Sequence, residues 1–206
     1  MKRGQLYAQV FVTEFLTLDG VMQAPGDPDG DRSAGFDHGG WQLAYFDDIF
    51  GETVMGGFTD TGAFLFGRRT YEIFARHWPN QPADDPLAGA LNDLPKYVVS
   101  STLSEPLSWH NSTLIASDVP SEIRRLKEAE GKDIQLVGSG DLLQSLAKDG
   151  LVDEYRLLIH PLVLGSGKRA FREGSAAQRL RLVDSKATTK GVLIATYVPA
   201  EESATN

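Results

Sequence analysis

Cysteine is absent from this 206-residue chain, which excludes disulfide bonds, thiolate metal sites and a cysteine nucleophile. Histidine is scarce, and its four residues show no metal-ligand spacing, so we expect no metal site. No apolar run approaches the roughly 20 residues of a membrane span. Residues 1–15 also lack the apolar core of a signal peptide. We therefore expect a cytoplasmic protein without a membrane partner.

Positive charge is in deficit, with 20 Lys and Arg residues against 28 Asp and Glu residues and a net charge of −8. This balance disfavours long-range attraction to nucleic acid, so we expect no nucleic-acid partner. Hydrophobic residues make up 41% and charged residues 23% of the chain, as in ordinary globular proteins. The length and the absence of a clear boundary or repeat predict a single domain over residues 1–206.

Strand and helix patterns alternate through the first two thirds of the chain, and only strand patterns follow. The predicted strands are 8–18, 63–66, 96–102, 112–117, 134–137, 153–164, 180–188 and 191–198. The predicted helices are 41–57, 68–78, 119–130 and 141–150. This order predicts an α/β fold with a mostly parallel, helix-covered sheet and antiparallel C-terminal strands. Segments 24–40 and 79–86, rich in Gly, Asp and Pro, are predicted loops, and the first is long enough to serve as a lid or binding loop.

Ligands of parallel sheets bind beyond the carboxyl ends of the strands, so the residues that follow each strand are site candidates. The segments in question are TLDG (17–20), GRRT (67–70), SST (100–102), GSG (138–140) and GSGK (165–168). The glycine corners at 67 and 138 both open a helix, and helix N-termini attract anions. Each corner alone is compatible with a plain turn. Together with the arginines, the five segments favour a ligand that carries several phosphates.

Three familiar motifs are incomplete here. A Rossmann fingerprint needs a third glycine where this chain has Leu143. The segment LGSGKRAF is not a P-loop, because Leu162 occupies the first-glycine position and Arg169 replaces the Ser or Thr. No G-x-S-x-G elbow surrounds Ser139 or Ser166, which leaves a serine hydrolase unsupported.

Four segments resemble the dihydrofolate reductase-like superfamily, and in particular the C-terminal reductase domain of the bifunctional riboflavin-biosynthesis deaminase-reductase. They are FLTLDGVM, LFGRRTYEIF, KYVVSSTL and the long run IQLVGSGDLLQSLAKDGLVDEYRLLIHPLVLGSGKRAF. The resemblance covers residues 8–198, while the zinc signature of the deaminase half is absent. It implies a stand-alone reductase domain with a three-layer αβα architecture, and it also suggests a homodimer. The apolar hairpin 180–198 agrees with the homodimer, since its strands show little polar alternation.

The resemblance further implies that NADPH binds across the carboxyl ends of the strands. The implied cofactor-binding residues are Phe15, Thr17, Gly20 and Met22 beside the nicotinamide, Gly67, Arg68, Arg69 and Thr70 at the adenosine phosphates, Ser100 and Ser101 on the adenosine side, and Gly138, Ser139, Gly140 and Leu142 at the pyrophosphate. On this basis the glycine turn 138–140 is a phosphate cradle of a non-Rossmann kind.

A proton donor is expected beside the acceptor of the hydride, and three carboxylates are candidates. Asp48 is preferred over Asp47 because its spacing from Trp41 directs it towards the apolar side of the predicted helix, and Asp19 is the third candidate. Trp41 is either a core residue or, if it is exposed beside the long loop, a surface that stacks on a planar substrate. Two functions remain open: an NADPH-dependent reductase of a small heterocyclic, pyrimidine- or pterin-like substrate, and a non-catalytic nucleotide-binding or ligand-sensing protein.

Overall fold

A computed structural model describes residues 7–82, 84–129 and 131–200 of the chain. Within these residues the strands are β1 Val10–Thr17, β2 Thr61–Gly67, β3 Lys96–Val99, β4 Ser112–Ile115, β5 Asp133–Val137, β6 Glu154–His160, β7 Leu180–Ala187 and β8 Leu193–Pro199. The α-helices are α1 Asp48–Asp60, α2 Arg68–His77, α3 Pro86–Asp93, α4 Val119–Glu128 and α5 Gly140–Lys148. None of the helices in these ranges is long and apolar enough to cross a membrane.

All eight strands form one sheet in the order β4-β3-β2-β5-β1-β6-β8-β7. The pairs from β4 to β6 are parallel, whereas β8 runs antiparallel to both β6 and β7. The predicted α/β fold with antiparallel C-terminal strands is therefore confirmed. Parallel pairing brings the carboxyl ends of β3, β2, β5 and β1 to the same edge of the sheet, side by side.

Successive side chains of β1 point to opposite faces of the sheet, and each face packs against a different set of helices. Val10, Val12 and Leu16 face a core that also contains buried residues of α4 and α5. Phe15 points to the opposite face, where it contacts Phe50 of α1. Helices α2 and α3 cover the same face as α1 over β2 and β3, since they share an aromatic cluster with α1 and those strands. The sheet is thus covered by helices on both faces.

Two parts of the predicted secondary structure are wrong. The apolar spacing at 41–57 does not form one helix, because residues Leu43–Tyr45 form a separate 3-10 turn and α1 begins only at Asp48. Asp47 starts α1 as its N-cap by accepting a hydrogen bond from the backbone N–H of Phe50. Helix α3 was not predicted, although Asp85 caps it and Pro86 occupies its first turn.

Candidate active site

Two glycine corners meet at the carboxyl ends of β2 and β5. The backbone N–H of Gly67 donates a hydrogen bond to Ser139 Oγ (2.8 Å), and the Ser139 hydroxyl donates to Thr70 Oγ1 (2.8 Å). A Cβ atom on Gly67 would lie 3.2 Å from Ser139 Cβ and Oγ, so glycine permits the close approach of the two corners. The corner predicted to bind the adenosine phosphates and the corner predicted to bind the pyrophosphate are therefore linked by hydrogen bonds.

The turn at β5 also exposes the start of α5. Gly138 and Ser139 both adopt the left-handed conformation, with φ of +57° and +64°, and α5 begins at Gly140. Neither α2 nor α5 has a side-chain cap among the described residues. The residue before α2 is Gly67, which has no side chain, and the residue before α5 is Ser139, whose hydroxyl bonds to the other corner. The first N–H groups of two adjacent helices are consequently free to bind an anion. This arrangement suits a pyrophosphate better than a single phosphate.

Arg68 links the first corner to the end of β3. Its guanidinium donates to Thr102 Oγ1 (2.7 Å) and lies 3.5 Å from a carboxylate oxygen of Glu72. Ser100 Oγ accepts hydrogen bonds from the backbone N–H groups of Thr102 and Leu103, so this serine holds the turn, while Ser101 is exposed. The structure thus brings Arg68 and both predicted serines to the same end of the site.

The long loop at 24–40 is attached to the site by an ion-pair network. Asp31 accepts from Lys168 Nζ (2.5 Å) and lies 3.8 Å from the guanidinium of Arg69. Lys168 also donates to Ser33 Oγ, and its backbone N–H donates to Gln23 Oε1. Lys168 of the GSGK segment therefore fixes the loop, which agrees with the exclusion of a P-loop role for this lysine. Arg69 is partly neutralised by Asp31 of the loop, and Arg68 by Glu72 of its own helix.

The LDG turn after β1 is stabilised by its own side chains. Thr17 donates to Asp19 Oδ1 (2.5 Å), and the backbone N–H groups of Leu164 and Gly165 also donate to Asp19. The hydrogen bond from Thr17, with those from the two amides, lowers the pKa of Asp19 below its ordinary value. Gly20 adopts a positive φ of 79° in this turn. Asp19 is thus an ionised residue that holds two loops together, which argues against it as a proton donor.

Asp47 and Asp48 are placed differently from each other. Desolvation raises the pKa of Asp47, but hydrogen bonds from the Thr189 hydroxyl and from backbone amides outweigh it and lower this pKa to about 2. Asp47 is therefore a helix cap that also anchors the β7–β8 hairpin. Asp48 is exposed in the first turn of α1, so the expectation that it faces the apolar side of a helix is wrong. Its role as proton donor stays a prediction.

An aromatic cluster surrounds His160, the last residue of β6, on the α1 face of the sheet. The His160 ring is completely buried, with the rings of Trp41, Tyr45 and Phe50 at centroid distances of 4.9, 5.6 and 5.8 Å. Trp41 is only 8% exposed, and its indole N–H donates to the carbonyl of Gln23. The premise that Trp41 is exposed is wrong, because this side chain packs into the core beneath the long loop.

His160 itself carries an unpaired acceptor. Its Nδ1 lies 3.1 Å from the carbonyl of Leu16 and 3.0 Å from that of Leu158, so Nδ1 carries the proton. Nε2 is then an acceptor, and it is buried without a hydrogen-bond partner among the described residues. Desolvation lowers the pKa of His160 in spite of the two carbonyls, which keeps the ring neutral near pH 7.

A family model of the RibD C-terminal domain matches residues 8–194. The chain belongs to this family. Among curated proteins it is 32% identical over 148 residues to the uncharacterized protein YyaP of Bacillus subtilis (strain 168), a match that covers 68% of this chain and 78% of YyaP. It is also 29% identical over 124 residues to the uncharacterized protein YwjB of the same organism, covering 59% of this chain and 65% of YwjB.

Solved structures support the dihydrofolate reductase-like fold. A putative riboflavin biosynthesis protein from Shewanella sp. PV-4 has a TM-score of 0.69 at 20% identity, covering 94% of this chain and 99% of that one. Dihydrofolate reductase from Enterococcus faecalis has a TM-score of 0.58 at 12% identity, with 95% and 99% coverage. The deaminase/5-amino-6-(5-phosphoribosylamino)uracil reductase of Thermotoga maritima has a TM-score of 0.62 at 14% identity, and this chain spans 57% of its length.

Two buried polar residues at the site have no predicted role in the sequence analysis, namely Glu14 of β1 and His160 of β6. The burial of Glu14 could have been predicted from the sequence, because the alternate residues Val10, Val12 and Leu16 on the same face of β1 are apolar. No sequence pattern indicates that His160 is buried at the site, because its aromatic neighbours come from other segments of the chain.

Proposed function

We propose that this protein is an NADPH-dependent reductase that delivers hydride to a small heterocyclic, pyrimidine- or pterin-like substrate. The observation that carries the proposal is the pair of glycine corners at 67–70 and 138–140, joined through Ser139. A dinucleotide has a pyrophosphate at its centre, and two uncapped helix N-termini at adjacent strand ends are suited to bind it. Membership of a reductase-domain family agrees with this assignment.

The residues present fit the cofactor. The N–H groups at the starts of α2 and α5 would bind the pyrophosphate. Gly67 lets the two corners pack closely against each other, and Gly140 leaves room for the Met22 side chain beside the start of α5. Arg68 would take the 2′-phosphate, because its guanidinium is half exposed and bridges to the end of β3. When bound, the nicotinamide supplies the hydride. The chain's own part is to position both reactants and to exclude water.

The proton that must accompany the hydride has one remaining candidate among the three predicted carboxylates. Asp19 and Asp47 are held ionised by several hydrogen bonds each, so they are poor donors. Asp48 remains our proposed acid, acting directly or through a water molecule. The commitment of Asp19 and Asp47 to structure favours the second candidate function, a nucleotide-binding or ligand-sensing protein without catalysis. Oxidation of NADPH, followed by its absorbance with a panel of pyrimidines and pterins, separates the two functions.

We expect the wild type to bind NADPH more tightly than NADH, because the Arg68 guanidinium favours the extra 2′-phosphate. Arg68→Ala should remove most of this preference, a loss of about 1.5–3 kcal/mol for a charge-assisted hydrogen bond. Calorimetric titration of both cofactors against both proteins measures the effect. Arg124→Ala, at an exposed arginine of α4, is the matched control and should leave both affinities unchanged. Equal affinities for the two cofactors in the wild type would contradict the assignment.

We also propose that the protein is a homodimer that associates through the β7 edge. Residues 181–187 of this edge strand are all exposed, including Leu182 at 49% and Val183 at 43%, and Leu193 of β8 is 43% exposed. An edge strand that is open on both faces and exposes apolar side chains such as Leu182 and Val183 is suited to pair with a second copy. We expect sedimentation equilibrium at micromolar concentration to give a dimer. Leu182→Asp should shift it to monomer, whereas Leu43→Asp on the exposed 3-10 turn should not; a monomeric wild type would refute the proposal.

A further inference from the structure

Glu14 is a buried carboxylic acid in the interior of the sheet. It lies on β1 between two other strands, β5 and β6, and only 2% of its surface is exposed. Its Oε1 atom is buried and has no hydrogen-bond partner among the residues that the structure describes. An unpaired carboxyl group in such a place is strongly unfavourable for folding, and a ligand that hydrogen-bonds to it would remove this cost.

The register of the sheet places Glu14 beside the glycine turn. Thr13 pairs with Val137, so Glu14 is level with Gly138, the first residue of the turn. Alternation puts Glu14 on the same face as Val12 and Leu16, which is the face covered by α5. The carboxyl group therefore lies on the side of the sheet from which α5 begins, next to the proposed pyrophosphate site.

The order of strands indicates which end of a dinucleotide reaches Glu14. The proposed pyrophosphate site spans the ends of β2 and β5, which are flanked by β3 on one side and β1 on the other. The two halves of the dinucleotide must extend in these two directions. Arg68 lies towards β3, where it bonds to Thr102, and so marks that side for the 2′-phosphate and adenosine. The nicotinamide half then extends over the end of β1.

The chemistry of Glu14 matches the carboxamide of that ring. A carboxylic acid presents one O–H donor and one carbonyl acceptor in a plane, and a primary carboxamide presents the complementary acceptor and N–H donor. Burial raises the pKa of Glu14 to about 8, which leaves the group protonated near pH 7. An ionised carboxylate has no donor and would bind only the N–H side of the amide.

We propose that Glu14 recognises the carboxamide of the nicotinamide ring through a pair of hydrogen bonds, and so sets the orientation of the ring at the end of β1. This inference rests on the proposed function, since it assumes that a nicotinamide dinucleotide binds here. It makes Glu14 a cofactor-positioning residue.

The test compares NADP⁺ with its 3-acetylpyridine analogue, in which a methyl ketone replaces the carboxamide and removes the N–H donor. Wild type is expected to bind the analogue about tenfold more weakly, as for the loss of one buried hydrogen bond. Glu14→Leu should bind NADP⁺ about tenfold more weakly than wild type and should no longer distinguish the two ligands. Glu14→Gln keeps a donor and an acceptor and should retain discrimination. Thr13→Val, a buried neighbour on the opposite face, is the matched control and should discriminate as wild type does.

The outcomes separate this inference from the proposed function. If wild type binds neither dinucleotide, the proposed function fails. If wild type binds both equally, or if Glu14→Leu discriminates as well as wild type, the dinucleotide site stands and the role of Glu14 is refuted. The comparison of the two ligands on wild type needs no variant, so the inference remains testable even if Glu14→Leu fails to fold.

Discussion

Gly140→Val is expected to weaken NADPH binding by about 2 kcal/mol or more, through lost N–H contacts and steric exclusion at the pyrophosphate. Gly140 is the first residue of α5, and a Cβ atom there would lie 2.7 Å from Met22 Sδ. The end of a flexible methionine side chain can move, so we expect the variant to fold. The displaced Met22 side chain and the valine methyl groups would both occupy space at the proposed cofactor site.

The measurement is NADPH affinity and thermal midpoint on the same variant. If the turn 138–140 only shapes the corner between β5 and α5, the thermal midpoint should fall while the affinity of the folded protein stays unchanged. Gly56→Val is the matched control, because Gly56 lies on an exposed part of α1 with no atom near its Cβ position. We expect this control to leave NADPH affinity unaltered. Unchanged affinity in Gly140→Val would show that the turn is not a phosphate cradle.

The corners of the site were predictable because their signals are local. A strand, a glycine and a helix start occur in sequence at 61–70 and again at 133–141, and the parallel order of strands places both at one edge. The hydrogen bonds from Gly67 to Ser139 and from Ser139 to Thr70 were not predictable. They depend on β2 and β5 being neighbours in the sheet, and no spacing along the chain encodes that.

Local signals also explain the errors around the site. The apolar spacing of Trp41 and Tyr45 resembles a helix, but these residues pack around His160 through a 3-10 turn instead. The sequence makes Asp47 a candidate acid, although an aspartate that precedes a helix is first of all a capping residue. Asp47 also accepts a hydrogen bond from the Thr189 hydroxyl. The two residues are 142 positions apart, so no local sequence pattern predicts this contact.

The burial of Glu14 has a consequence for stability that does not depend on any ligand. The pKa of this carboxyl group is about 8 in the folded protein, against 4.5 as its ordinary value, and desolvation is the cause. Between these values the folded state retains a proton that the unfolded state has released. The unfolded state therefore binds fewer protons, and the free energy of unfolding falls as pH rises from about 4.5 to about 8.

We expect Glu14→Gln to remove this dependence, since an amide does not titrate. In the wild type, Glu14 lowers the free energy of unfolding by at most about 1.4 kcal/mol per pH unit between pH 4.5 and about pH 8. Above about pH 8 it causes no further decrease. Urea unfolding of both proteins at several pH values between 5 and 9 measures the difference, with Glu52→Gln on the exposed surface of α1 as the control that should follow wild type. The stability of Glu14→Gln relative to wild type should therefore increase with pH and then level off near pH 8. Parallel curves for the two proteins would mean that Glu14 is ionised in the folded state, and its pairing with a carboxamide as a hydrogen-bond donor would then be excluded.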